Sequence, residues 1–376
     1  MGKRLDIDNP FYDGNASPSA FGWEFQVDAA IFLFVKYIDQ IEKIIVEGKY
    51  QDIELICKGN KRIYAQAKSV SNGSNDNRKK KLEDAIISLA KCPADKDLDD
   101  NLLYISNYSA PIKEAGIFNN AIIRLEKQKG EKTEFEKQIQ SIVIKLDKEI
   151  KNCRQNNKKN KLKELKNRIK NIDSASFLVS TIFPYNDTEQ QEDKYRAIFN
   201  EIDVLLSDKF NIKSQYLRKL IRQVLSEWQL TLWRDATQSP NKITKELSKD
   251  TLLWQIVVIL SDISETDMDS LFDEEIDDDL IDEFEGYYDK SRSILHNRFE
   301  FFNKLVSDYK EFAKQYNNKK QLFFVKTNWS NYIKEFYEFQ EYSALAKEYL
   351  IKKSLMNLLN SKNNISKIIE GRYNDY

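Results

Sequence analysis

Two acids two residues apart, followed by a Gln-x-Lys, are the residues in this sequence best suited to phosphoester chemistry. They are Asp52, Glu54, Gln66 and Lys68. Residues 52–68 predict a β-hairpin, because Ile53, Leu55, Ile63 and Ala65 alternate with the remaining positions and Lys58-Gly59-Asn60-Lys61 supplies a turn. Side chains two apart on a strand share a face, so Asp52 and Glu54 point the same way, as do Gln66 and Lys68. Pairing through the turn would gather two carboxylates, an amide oxygen and an ammonium at one end of a sheet. Those groups together hold a divalent metal and a phosphate.

Charged residues make up 32% of the chain, so acid-x-Lys patterns recur. Glu47-Gly48-Lys49, Glu149-Ile150-Lys151 and Glu164-Leu165-Lys166 all match Glu-x-Lys. The first reads as a turn and the other two as polar helix. Gln66-Ala67-Lys68 alone closes a strand that follows a carboxylate strand, and context therefore separates it from the other three.

These residues, with Phe21-Gly22-Trp23-Glu24-Phe25-Gln26 and a long helix ahead of them, resemble the PD-(D/E)xK restriction-endonuclease superfamily. Gln66 stands where many members have Glu, and the pattern is most similar to the Gln-x-Lys nucleases of bacterial antiphage defence. Those include the double-stranded-DNA endonuclease domain of effectors associated with cyclic-nucleotide signalling (CD-NTase-associated effectors) and the nuclease subunit of Lamassu-type systems. The resemblance is good over residues 1–110, loose to 235 and slight beyond. It implies a Mg²⁺- or Mn²⁺-dependent endonuclease cutting double-stranded DNA. Asp52 and Glu54 would hold the metal with the Ala67 carbonyl. Gln66 would orient the metal site, and Lys68 would position the attacking water. Glu24 and Gln26 would be further members from the first helix, or else ordinary exposed helix residues. Spacing to Gln66 favours Glu54 as the principal acid, whereas Asp52 is the shorter and commoner metal carboxylate. Both remain open, as do a catalytically degenerate interaction subunit of the same fold and a nuclease acting on RNA.

Composition agrees with carboxylate-metal chemistry by elimination. The single histidine, His296, removes chemistries that need two, and the spacing around it reads as a structural position on an amphipathic helix. No phosphate-cradling Gly-rich loop occurs. Three scattered cysteines, Cys57, Cys92 and Cys153, fit a reducing cytosol and form no zinc pattern. Residues 1–10 are polar, so no signal peptide is expected, and no apolar run is long enough to span a membrane. A net charge of −1 means that nucleic acid would have to be met by local patches.

Length and composition imply two domains. With 376 residues, 41% hydrophobic content and only 10 Gly and 6 Pro, long helices should dominate. The expected class is α+β, mostly α: a restriction-endonuclease-like α/β core within residues 1–235, and an all-helical assembly or partner-docking domain over 236–376. The first helix is expected from Ser17 to about Ile45, on the stripe Phe25, Ala29, Phe32, Val35, Ile38, Ile41, Ile45. A helix over 82–91 follows, opened by Arg78, Lys79, Lys80 and Lys81, which either grip DNA phosphates or form a solvated helix start. Residues 102–107 and 177–183 read as strands. Between them, residues 115–172 form a helical insertion that pairs around 155–160. Positions 145–170 carry Lys or Arg at 11 places against three acids, as a DNA-contacting arm or a solvated coiled coil. Helices are expected at 216–232, 252–260, 294–312, 332–349 and 354–359. The acidic stretch 251–289 reads as a connector or docking surface. It lacks the central Gly of a calcium loop. The domain-level expectation is an oligomer working with a sensor or SMC-like ATPase subunit.

Overall fold

The computed structural model describes residues 16–69, 78–94, 100–108, 134–172, 177–182, 190–212, 217–236, 246–263, 269–272, 276–292, 299–316 and 320–373. His296 and the acids Asp273, Glu274 and Glu275 lie outside the described residues, as do 115–133 of the expected insertion.

The chain is α+β. Helix α1 (Ala16–Lys36) leads into β1 (Ile41–Val46), β2 (Ile53–Cys57) and β3 (Arg62–Lys68). Then come α2 (Arg78–Leu89), β4 (Asn101–Ser106), α3 (Glu134–Asn152), α4 (Asn156–Lys170) and β5 (Phe177–Thr181). The remaining elements are α5 (Gln190–Val204), α6 (Leu217–Ala236), β6 (Leu247–Ser248), α7 (Lys249–Ile263), α8 (Asp278–Arg292), α9 (Phe299–Gln315), α10 (Gln321–Asn328), α11 (Ala344–Asn360) and α12 (Lys362–Tyr373). No helix among the described residues is long and apolar enough to cross a membrane.

The strands form one mixed six-stranded sheet in the order β5-β4-β3-β2-β1-β6. β1, β2 and β3 are an antiparallel meander, and β3, β4 and β5 run parallel. The expected hairpin is present: Ile53 faces Ala65 and Glu54 faces Tyr64, and Gly59 takes a left-handed φ of 73° in the turn, where a Cβ would be strained. The helix expected to reach Ile45 instead stops at Lys36, and Ile41–Val46 is a strand. Ile44, Ile45 and Val46 are β-branched and prefer the pleated surface, and the Tyr37–Gln40 turn frees them from the helix.

Register explains the core. Tyr64, Leu102 and Phe177 stand side by side, as do Gln66, Tyr104 and Val179. Tyr64, Leu102, Tyr104, Phe177 and Val179 share a buried cluster with Leu82, Ala85, Ile86 and Leu89 of α2 and with Phe135, Ile142, Leu146 and Ile169 of the α3–α4 hairpin. The hairpin turns at Cys153–Gln155, a few residues earlier than expected, because α4 already begins at Asn156. Helix α1 contributes nothing to that cluster and packs on β1 and β3 with fully buried Ala29, Ala30 and Ile31.

The chain divides into two compact units. One comprises Met1–Glu201 and Gln229–Leu247, the other Ile202–Trp228 and Ser248–Tyr376. In the second unit, most of the stretch read as an acidic connector is helix. Helix α7 within it is a core element, with Leu252, Leu253, Trp254, Ile256 and Val257 all buried. Apolar residues on every side of α7 outweigh its few acids. Trp254 meets Phe299 edge to face at 5.1 Å. Residues 332–349 are not one helix. Short 3-10 turns at Trp329–Glu335 and Tyr337–Phe339 precede α11, whose start is capped by Ser343 Oγ accepting the Ala346 N–H at 3.2 Å. There Tyr332, Phe336 and Phe339 are buried as packing aromatics.

Candidate functional site

Parallel strands β3, β4 and β5 all end on one edge, at Lys68, Ser106 and Thr181. The β1–β2 loop opens on that same edge, because Val46 pairs with Ile53 and Ile53 with Ala65. Carboxyl ends of parallel strands are where open sheets bind ligands.

Asp52 sits just ahead of β2, next to Gln66 by register. Its Oδ2 accepts from the Gln66 side-chain amide and from the Ala67 N–H at 3.0 Å, and the Lys68 ammonium lies 3.7 Å from it. The Asp52 and Lys68 side chains keep 18% and 34% of their surface exposed, so both are open to a ligand. Burial pushes the Asp52 carboxyl above its usual range, against the opposing pull of Lys68, the Ala67 N–H and Gln66. Asp52, Gln66, Ala67 and Lys68 are thus brought together.

Glu54 is turned to the loop instead of to this group. Standing opposite Tyr64, it lies one pleat deeper in the sheet than Asp52, with 2% exposure. Its Oε1 accepts the Tyr50 N–H at 2.8 Å, and a Cβ on Gly48 would stand 2.4 Å from that oxygen. Glu54 therefore closes the β1–β2 loop, and Gly48 leaves room for it.

The acid beside Asp52 is Glu47. The Glu47 N–H donates to the Asp52 carbonyl at 2.8 Å, which places the two residues opposite each other across the loop. Burial raises the Glu47 pKa, the Asp52 charge raises it further, and a hydrogen bond from Gln26 and the charge of Lys68 oppose the rise. Glu47 holds a left-handed φ of 52°, a conformation that costs a non-glycine residue energy and that collects at functional sites. By sequence, Glu47-Gly48-Lys49 reads as a turn outside the site. The loop is a turn, and its first residue reaches the site. Gln51 anchors this loop on α2, donating to the Ser88 carbonyl at 3.0 Å and meeting Cys92 Sγ at 3.1 Å.

Of the two α1 residues, Gln26 joins and Glu24 does not. Gln26 hydrogen-bonds Glu47, while its Oε1 is buried and has no hydrogen-bond partner among the described residues. Glu24 accepts from the Tyr195 hydroxyl at 3.2 Å. Residues two apart on a helix face different ways, so both could not serve one site.

The four cations of α2 also divide. Arg78 and Lys81 lie 5.5 and 5.9 Å from the centre of the Tyr108 ring, whereas Lys79 and Lys80 are exposed. Lys81 donates to the Ser69 carbonyl at 2.5 Å, just past Lys68. Burial lowers the Lys81 pKa, and the Lys68 charge lowers it further. Lys68, Lys81 and Arg78 therefore form a cationic rim beside the carboxylates.

Two carboxylates and an unpartnered amide oxygen are hard oxygen donors that suit Mg²⁺ or Mn²⁺. No cluster of three or more His, Cys, Asp or Glu side chains occurs among the described residues, so any cation here would draw on amide or backbone oxygen as well.

No protein-family model matches the chain, and no curated protein sequence matches it. Among solved structures it is similar to a Moraxella osloensis Cap4 SAVED/CARF-domain containing receptor, with 12% identity and a TM-score of 0.31. The match covers 63% of this chain and 47% of the receptor, so the chain spans about half of that protein's length. A likeness this slight says nothing about the site.

Proposed function

We propose that this chain is a metal-dependent endonuclease of PD-(D/E)xK type that hydrolyses phosphodiester bonds of double-stranded DNA. The observation that carries the reading is the meeting of Asp52, Gln66 and Lys68 at one open sheet edge, with Glu47 across the loop. The order helix, three-stranded meander, helix, parallel strand also suits a restriction-endonuclease-like core, with α3–α4 as its insertion.

Asp52, Glu47, the free Gln26 Oε1 and the Ala67 carbonyl would hold Mg²⁺ or Mn²⁺. Such a cation supplies Lewis-acid polarisation of a phosphoryl oxygen and a more acidic water. The chain's own residues do the rest. Gln66 and the Ala67 N–H turn Asp52 by binding its Oδ2, which leaves Oδ1 for the cation. Lys68, fixed near Asp52 and half open, orients the attacking water and offsets charge growing on the scissile phosphate. Arg78 and Lys81 would meet flanking phosphates.

The setting follows from the motif resemblance: a cytosolic effector of bacterial antiphage defence, held inactive until a sensor or SMC-like ATPase subunit signals. Cutting both strands of a duplex needs two such centres, so the active form would be an oligomer, with the second unit for assembly. The test incubates the chain, alone and with its partner, with supercoiled plasmid and Mg²⁺, and compares Lys68→Ala. A parallel titration follows Mn²⁺ binding to the native chain and to Asp52→Asn. The reading expects metal-dependent linear product from the native chain and weakened Mn²⁺ binding by Asp52→Asn. Equal cutting by Lys68→Ala, or unchanged Mn²⁺ binding, would sink it.

A further inference from the structure

The α3–α4 hairpin segregates its charges. Residues 151–163 hold six Lys or Arg, five Asn or Gln and no acid. They make up the end of α3, the Cys153–Gln155 connection and the first half of α4. Lys151, Arg154, Lys158, Lys161 and Lys163 are all exposed there. The hairpin's acids lie nearer its base, where Asp147 pairs with Lys166 and Glu164 with Arg168.

The base is anchored and the tip is not. Phe135, Ile142, Leu146 and Ile169 enter the core cluster beneath β4, β5 and α2. Lys145 pairs with Glu83, and Arg168 Nη1 donates to the Lys91 carbonyl at 3.3 Å. Of residues 151–163 only Leu162, partly buried, packs against that cluster, and the cations around it face outward. Its like charges sit at helical neighbour spacings, Lys158 with Lys161 and Lys159 with Lys163, an arrangement that opposes the helix it occupies. A hairpin that only needed solubility would mix signs, as its own base does. The chain as a whole is at −1, so these cations are concentrated against an otherwise acidic molecule.

We propose that the α3–α4 hairpin is a duplex-binding arm whose tip, through Lys151, Arg154, Lys158, Lys161 and Lys163, rides on the phosphate backbone of DNA. The occupant, though not the arm's chemistry, rests on the nuclease reading. Helix α4 is about 22 Å long, and a duplex presents a phosphate charge about every 1.7 Å of its axis, so one hairpin side can meet several phosphates. The amides Asn152, Gln155, Asn156, Asn157 and Asn160 add neutral donors that backbone oxygens accept. No sequence preference is implied.

The test uses the full chain carrying Lys68→Ala, so that DNA survives, with and without Lys158→Glu, Lys161→Glu and Lys163→Glu together. All three positions are exposed, and circular dichroism and the thermal midpoint check the fold. Binding of a short labelled DNA duplex is followed by anisotropy over a range of salt. The triple variant should bind at least about tenfold more weakly, with the slope of log affinity against log salt reduced by about 0.9 per lost contact. A Lys→Gln triple should shift both in the same direction by less. Unchanged affinity and slope overturn the arm. So does a chain that ignores the duplex yet binds polyglutamate through the same lysines, which would make the partner an acidic protein. The two readings fail separately: plasmid left intact by the native chain, with duplex binding still lost in the triple variant, would refute the nuclease and keep the arm.

Discussion

Glu47 and Asp52 are joined across the β1–β2 loop by the Glu47 N–H, which donates to the Asp52 carbonyl at 2.8 Å. This one backbone bond sets two acids side by side and fixes Glu47 at a φ of 52°. Burial then raises both carboxyl pKa values, so the pair is costly to ionise without a cation. Function and stability should therefore oppose each other here. Glu47→Gly relieves a left-handed residue, and should leave the fold as stable or more so, by about 1 kcal/mol. On the proposed function, the same change should cut DNA hydrolysis at least about a hundredfold. Glu47→Gln, which keeps the strained backbone, should lose activity without that gain. Denaturant midpoints beside single-turnover cleavage check both halves.

On the proposed nuclease function, Lys68→Ala should abolish cleavage while leaving the fold intact. The ammonium lies at a strand end with 34% exposure, so its removal opens no core cavity. A loss on the order of 10³-fold is expected for a group that stabilises developing charge. Glu149→Gln, in the exposed Glu-x-Lys of α3, should change the rate by less than twofold, within the range of surface substitutions. Cleavage assays at saturating Mg²⁺ decide between them.

Much of the fold was legible, and for identifiable reasons. The β2–β3 hairpin shows itself through alternation around a Gly-containing turn, and α2, β4 and β5 through clear period and length. β1 was hidden because Ile38, Ile41 and Ile45 continue the helical stripe of α1, so period alone could not end the helix. Losing β1 also hid Glu47. An acid counts as part of a site only once the strand before it is known to end at Val46, opposite Ile53. The density of β-branched residues at 44–46 was the available signal. Glu54 misled for the opposite reason: sharing a face with Asp52 says nothing about depth, and one pleat inward it meets the loop amide of Tyr50. Residues 332–349 have helical apolar spacing, yet in their first part aromatic contacts such as Phe301 with Phe336, at 5.5 Å, hold short turns instead of a helix.

The cysteines predict an alkaline limit. Burial pushes the Cys57 and Cys92 thiols up to about 12 from an ordinary 9.0. An unfolded chain loses these protons near pH 9 and the folded one near 12, so the folded state is favoured below 9 and that advantage is lost as pH climbs to 12. At pH 8 a thiol reagent should label Cys153, which is partly exposed, rapidly, and Cys57 and Cys92 only on unfolding. Urea midpoints measured at pH 8 and 11 should fall with rising pH, and Cys57→Ala with Cys92→Ala should flatten that fall.

Lys352 gives the second unit a test of its own. It is 5% exposed, yet its ammonium donates to the Leu271 carbonyl at 2.8 Å, pairs with Glu348 at 2.6 Å and lies 4.3 Å from the centre of the Phe272 ring. A buried cation so fully partnered ties α11 to the segment before α8, and removing it leaves the Leu271 carbonyl unpaired and takes the partner from Glu348, whose side chain is 30% exposed. Lys352→Ala should therefore destabilise this unit by about 2 kcal/mol, from a buried carbonyl left unpaired and lost packing on Phe272, since Glu348 can turn to water. Lys352→Met, with Glu348→Gln to remove the unpaired charge, should recover more than half of that loss, because the aromatic contact and the volume are kept. Thermal unfolding followed by tryptophan fluorescence reads the change through Trp254 and Trp329. A midpoint unmoved by Lys352→Ala would mean that the lysine is not buried in solution. The proposed metal binding at Asp52 should be the same in all of these variants, since none of them substitutes a residue of the first unit.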